Sequence, residues 1–247
     1  MTWPEILVIL AAGVVAGAIN AIVGSGSLIT FPALLWAGFS PVTANVSNAL
    51  GQVFGNASAT WGYRRELKGQ RRRCLIAGTG TMFGALAGGV LLLSLPDRVF
   101  EAVVPLLILL ACSLMVLRPA PALSHGWFRR HDETSLFFVA LTVGLYGGYF
   151  GAAQGVILLA ALRFLIADDL QRLNGLKNVL VGVATGVAAL LFVFVADVAW
   201  DAAALVAAGS ILGAYMGARY GRRIPDDVLR WTVVIIGVTV AIVMLIR

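Results

Sequence analysis

Runs of about 20 apolar residues recur along the whole chain, each long enough to cross about 30 Å of hydrocarbon. In that solvent the backbone must satisfy its own hydrogen bonds, so spans of this length are helices. Of the 247 residues, 60% are hydrophobic and 12% charged, about half the charge of a soluble domain. The expected fold class is therefore an all-α polytopic membrane protein whose short connections leave no room for a separate soluble domain. The first segment follows Met1 directly and has no basic leader, so it reads as a retained span rather than a removed signal peptide. Cys74 and Cys112 fall in or beside apolar segments and read as small buried hydrophobes, not as a disulfide or metal framework.

Eight apolar segments can be marked, at 6–37, 42–63, 74–95, 99–117, 135–166, 173–195, 202–220 and 228–246. Segments one and five are too long for a single crossing, and each is interrupted. Gly24-Ser25-Gly26-Ser27 and Pro32 break the first, and Gly144, Gly147, Gly148 and Gly151 break the fifth. Each is expected to form two short helical arms meeting at the break, with Gly24, Gly26, Pro32, Gly148 and Gly151 as hinge or helix-break residues.

The eight segments form two copies of four. An offset of 127 carries Gly17, Gly24 and Gly55 onto Gly144, Gly151 and Gly182. An offset of 129 carries Gly80, Gly84, Gly88 and Pro96 onto Gly209, Gly213, Gly217 and Pro225. The organisation expected is a first transmembrane repeat at 1–118, a cytoplasmic linker at 119–134 and a second repeat at 135–247. The glycines four apart make flat helix faces suited to close packing, either within one chain or between two, so monomer and homodimer both stay open.

Arginine and lysine placement argues the orientation. If every segment crosses, basic residues divide almost evenly between the two sides. If segments one and five enter and return as V-shaped pairs, the cluster from Arg64 to Arg73, Arg118, Arg129, Arg130, Arg163, Arg172 and the basic residues from Arg219 to Arg230 share one side. The second arrangement is preferred: two inverted four-segment repeats, each starting with a broken or re-entrant helical pair, with the N-terminus outside. Such repeats bring two broken elements together at mid-membrane, where one assembly can expose a site to either side in turn.

Asn45, Asn48, Gln52 and Asn56 fall three and four apart on one face of segment two. With Ser25 and Ser27 at the first break, they resemble an anion site of oriented donors and positive helix ends. Stapling of helices to one another is the plainer role for such side chains. The second copy offers Gln154 near its break and Asn174, Lys177 and Asn178 at the start of segment six. Lys177 alone among the basic residues lies within a helix, where it could attract an anion, carry a proton or snorkel to the membrane edge. Substrate binding is expected from Ser25, Ser27, Asn45, Asn48, Gln52, Gln154, Asn174, Lys177 and Asn178.

No acidic residue falls near the centre of any segment, so a carboxylate proton relay is missing, while a coupling proton or sodium ion stays open. His125 and His131 both sit in the linker and make no metal site. Ser47 and Ser58 have no buried histidine as base, and Gly24-Ser25-Gly26 follows no strand and is no nucleotide fingerprint. No enzyme activity, cofactor, metal or nucleic-acid partner is expected; the partners are a small anion and membrane lipids. The net charge of +6 is explained by topology.

AGAINAIVGSGSLITFPALLWAGFSPVTANVSNALG in the first copy, and GLYGGYFGAAQG followed by LNGLKNVL in the second, resemble the sulfite exporter TauE/SafE family over almost the whole chain. Ser25 and Ser27 stand where that family commonly has glycine, and Ala152, Ala153 and Leu159 depart from its pattern in the second copy. The resemblance implies a secondary transporter for sulfite, an organosulfonate or a related anion in the bacterial cytoplasmic membrane, driven by an ion gradient. An anion channel and a membrane structural protein without transport are the alternatives.

Overall fold

The computed structural model describes residues 1–116, 133–220 and 226–246. Most of the expected linker, Pro225 and Arg247 lie outside the described residues, as do Arg222 and Arg223. The helices are α1 (Trp3–Ile22), α2 (Ser27–Trp36), α3 (Pro41–Gly62), α4 (Arg71–Ser94), α5 (Asp97–Val116), α6 (Glu133–Tyr149), α7 (Gln154–Leu165), α8 (Leu170–Val195), α9 (Trp200–Tyr220) and α10 (Asp226–Ile246). Among the described residues, α1, α4, α8 and α9 are long and apolar enough to cross a membrane.

Local chemistry sets the helix starts. Ser40 accepts a hydrogen bond from the Thr43 N–H at 3.3 Å, and Pro41 occupies the first turn of α3, where its missing N–H costs nothing. Asp169 accepts from the Gln171 N–H at 2.9 Å and caps α8.

Segments one and five each resolve into two helices, α1 with α2 and α6 with α7. The arms are unequal, however. α1 has 20 residues and α2 has 10, so only the second arm is short. The chain turns at Gly24, with φ +89°, and at Gly151, with φ +73°. A side chain is strained in this left-handed region, yet Ala153 also adopts it, at φ +55°. Two expected break residues lie elsewhere. Pro32 sits inside α2, which continues past it to Trp36; the lost N–H and the ring's crowding of the Leu28 carbonyl are tolerated in this helix rather than ending it. Gly148 sits inside α6, where a Cβ would collide with the backbone of Ala85, so its smallness serves helix contact rather than a turn.

The glycine faces are used within the chain. Gly80, Gly84 and Gly88 of α4 lie against the α6 backbone at Phe137, Leu141 and Leu145, and Gly144 and Gly148 return the contact at Thr81 and Ala85. Gly209, Gly213 and Gly217 of α9 meet α1 at Leu10, Val14 and Ala18 in the same way. In both seams the residue numbers rise together, so each pair runs parallel. α3 is also parallel to α9, with Gly51 beside Val206, Gly55 beside Ser210 and Gly62 beside Ala218. α3 and α8 cross in opposite senses: Asn56 bonds Thr185, whereas Tyr63, later in α3's direction, meets the earlier Asn174.

The loops after α3 and α7 lie together. Arg73 and Arg172 both pair with Asp168, at 2.5 and 3.0 Å, while Arg172 donates to the Lys68 carbonyl and Gln70 to the Arg172 carbonyl. At the breaks the core is aromatic, with Phe31 of α2 edge-on to Phe150 at 5.3 Å and Phe100 of α5 edge-on to Phe150 at 5.9 Å.

Candidate functional site

The two breaks touch. Gly155, in the first turn of α7, donates its N–H to the Gly24 carbonyl at 3.0 Å, and neither residue has room for a Cβ. A cavity of about 20 Å³, the size of a single water, has residues from beside both breaks in its lining: Asn20, Ser27, Asn48, Gln52, Asn56 and Thr185, with Gly147 and Gly151 of the second break.

α3 supplies three of these polar groups because its Asn and Gln side chains recur every turn and it is enclosed by α1, α2, α8 and α9. Asn20 donates to the Asn56 side-chain carbonyl at 2.6 Å, and Asn56 donates to the Thr185 hydroxyl at 3.2 Å. Thr30 of α2 donates to the Asn48 side-chain oxygen at 2.5 Å and accepts from Gln52 at 3.3 Å. These bonds staple α1, α2, α3 and α8 together, yet they leave groups spare. The Ser25 hydroxyl and Gln52 Oε1 are buried without a partner. Among the described residues, the side-chain amide nitrogen of Asn48 makes no hydrogen bond, nor do the backbone N–H groups of Ser25, Gly26 and Ser27. Those N–H groups belong to the positive end of α2, which no side chain caps. The arrangement offers neutral donors and a helix dipole to a small negative ligand.

Other expected residues lie around this centre. Asn45 donates to the Tyr149 carbonyl at 3.1 Å, at the end of α6. Gln154 packs against Gly147, and its amide nitrogen is buried without a partner. Asn174 donates to the Tyr63 hydroxyl at 3.1 Å, well along α8 from the cavity residue Thr185. Lys177 is completely buried and donates to the carbonyls of Asn20, Ala21 and Ile22 at 3.2, 3.4 and 3.4 Å. Asn178 adds a bond to the Ala21 carbonyl at 3.2 Å. Both therefore cap the negative end of α1.

Asn20, Thr30 and Thr185 are absent from the residues expected to bind substrate. The only sequence signal for Asn20 and Thr30 is a single polar side chain within an otherwise apolar run flanking the first break. Among the described residues, no cluster of histidine, cysteine or acidic side chains could hold a metal ion.

The chain is 29% identical over 240 residues to a probable membrane transporter protein, ORF9, of Sinorhizobium sp, covering 94% of this chain and 88% of the relative. It is 29% identical over 216 residues to a probable membrane transporter protein of Haemophilus influenzae, covering 86% and 83% respectively. It is 28% identical over 224 residues to the probable membrane transporter protein YfcA of Escherichia coli K12, covering 89% and 82%. No solved structure matches the chain. The model of the sulfite exporter TauE/SafE family matches residues 9–244, nearly the full length of the described helices, and the chain belongs to that family.

Proposed function

We propose that this multi-pass protein of the bacterial cytoplasmic membrane is a secondary transporter, moving a small anion such as sulfite, an organosulfonate or a related organic anion by alternating access. The observation that carries the reading is the polar cavity lined from beside both breaks, with Ser27 at the uncapped α2 terminus in its wall. Asn48, Gln52, Ser25 and Ser27 would bind the anion there, with the free N–H groups of Ser25, Gly26 and Ser27. Neutral donors suit a substrate that must also leave, since a full countercharge would hold it more tightly. At about 20 Å³ the cavity fits a water-sized group, so admitting an oxyanion would require the surrounding helices to part. Asn45, Gln154, Lys177 and Asn178 act here by holding the broken helices, and Asn174 by tying α8 to Tyr63 at the end of α3, rather than by touching substrate.

Alternating access rests on inverted repeats at 1–118 and 135–247, joined by the linker at 119–134. Three features support them: α1, α3 and α9 run parallel, α3 runs against α8, and the seam of α4 on α6 repeats that of α9 on α1. The meeting of Arg73 and Arg172 at Asp168 favours one shared cytoplasmic face for the loops after α3 and α7, with the N-terminus outside. Reconstituted protein should then exchange internal for external labelled anion, and a channel would instead dissipate the label without exchange.

A further inference from the structure

We propose that Lys177 is the coupling group of this transporter and that one proton accompanies each monovalent anion through it; the inference rests on the transporter reading above. Among the described residues, Lys177 is the only charged side chain that is buried, and none of its surface reaches solvent. Among the described residues, no carboxylate bonds to it. Its three donated bonds all go to the last carbonyls of α1, on Asn20, Ala21 and Ile22.

Three carbonyls match the three N–H bonds of an ammonium. A neutral amine has only two such bonds and would turn its lone pair on the third carbonyl, so this cage selects the protonated form. The cage is nevertheless an incomplete counterion. A helix end carries roughly half an elementary negative charge, which leaves a net positive charge buried in an apolar bundle.

The other titratable groups on neighbouring elements do not remove that excess. Tyr63, beyond α3, bonds Asn174; Tyr146 of α6 donates to the Ala152 carbonyl; and Tyr149 packs on Phe100. Arg72 at the start of α4 pairs with Glu133 of α6, while Arg73 and Arg172 pair with Asp168. Glu66, in the turn after α3, packs its side chain on α8 at Gly175, two residues before Lys177, and the Lys177 amine donates to main-chain carbonyls rather than to it. Arg71, Cys74 and Arg163 make no hydrogen bond to Lys177, and Glu5 lies at the far end of α1.

Asn20 connects the cage to the cavity. Its carbonyl accepts from Lys177, while its side chain lines the cavity and donates to Asn56. An anion in the cavity supplies the missing negative charge one residue from the cage, so the bundle is close to neutral when it holds both proton and anion. When the anion leaves, the ammonium loses that compensation. It gives its proton to water on the side then open, becoming the neutral amine, and takes up another from water when the site reloads. Release also removes one of the four bonds that Lys177 and Asn178 give to the end of α1, which weakens that cap and links the proton to movement of α1 against α2.

The test uses the full chain in proteoliposomes, with labelled methanesulfonate, whose charge does not change over the working pH range. A pH gradient, acid outside, should drive its accumulation by unmodified protein, approaching tenfold per pH unit for one proton per anion. A dye inside the vesicles should report matching acidification. Lys177→Gln, which keeps a donor for the carbonyls, should retain exchange at equal pH and lose the gradient-driven accumulation. Lys177→Arg, which keeps the charge and cannot release a proton, should behave likewise. Accumulation that survives in either variant overturns the inference, as does exchange by unmodified protein that neither responds to the gradient nor moves protons. If unmodified protein exchanges neither methanesulfonate nor sulfite, the transporter reading fails, and this inference fails with it.

Discussion

Gly155 donates its backbone N–H to the carbonyl of Gly24 at 3.0 Å, so the first turn of α7 rests on the turn that ends α1. Gly24 has φ +89°, and a Cβ there would run into Gly155. Gly24→Ala should therefore cost about 1–2 kcal/mol for the backbone conformation alone, with the collision added. Gly155→Ala has no positive φ to violate and isolates the contact between breaks. Both variants should melt below the unmodified protein in detergent, Gly24→Ala lower than Gly155→Ala; equal melting of all three would contradict this.

Gly84 and Gly78 share α4 and differ in surroundings. A Cβ at Gly84 would strike the α6 backbone at Leu141 and Leu145, whereas one at Gly78 meets nothing within 4 Å. Gly84→Val should abolish the folded monodisperse protein or lower its melting temperature sharply, because backbone cannot move aside as a side chain can. Gly78→Val should be tolerated, and size-exclusion profiles with thermal scans would compare them.

Asp168 ties the two loops together. Burial pushes its carboxyl upward, but the Arg73 hydrogen bond, the Asp169 N–H and Arg172 outweigh it and hold the group below its ordinary range. A depressed carboxyl stabilises the fold at pH above its unfolded value of about 4 and loses that contribution as pH falls through the lower folded value. Asp168→Asn should therefore melt earlier than the unmodified protein at pH 7, with the difference shrinking below about pH 4. A difference that stays constant over that range would contradict the ion-pair account.

Thr30 orients two of the groups assigned to the anion, since it donates to Asn48 and accepts from Gln52. Thr30→Val keeps the shape and removes the hydroxyl, which should weaken anion exchange by roughly fivefold, the worth of about 1 kcal/mol of hydrogen bonding. Concentration-dependent exchange would show the change in half-saturation.

Much of this architecture is legible in residue spacing. Glycines at 80, 84 and 88, repeated at 209, 213 and 217, mark helix faces that need a backbone partner, and the polar residues of α3 recur at helical intervals. The partners themselves are not legible, because the seams join α4 to α6 and α9 to α1 across distant parts of the chain. Lys177 stands out as a charge within a helix, but its ligands are main-chain carbonyls at a helix end, which carry no side-chain signature. Gly148 and Pro32 mislead for a related reason: both residue types also occur inside helices, one for close packing and the other where the loss of one N–H is tolerated. Asn20, Thr30 and Thr185 acquire meaning only when helices from both halves of the chain converge beside one cavity.

The most direct test of the anion path is counterflow in proteoliposomes loaded with sulfite, following uptake of labelled sulfite by the unmodified protein and by Asn48→Ala and Gln52→Ala. The unmodified protein should exchange, and each variant should lose at least about fivefold, from removal of a donor or its support, while remaining folded and monodisperse at the assay temperature despite the loss of a buried hydrogen bond to Thr30. Undiminished exchange in both variants would contradict the placement of the path at this cavity, and no exchange of sulfite or methanesulfonate by correctly folded, reconstituted protein would contradict anion transport itself.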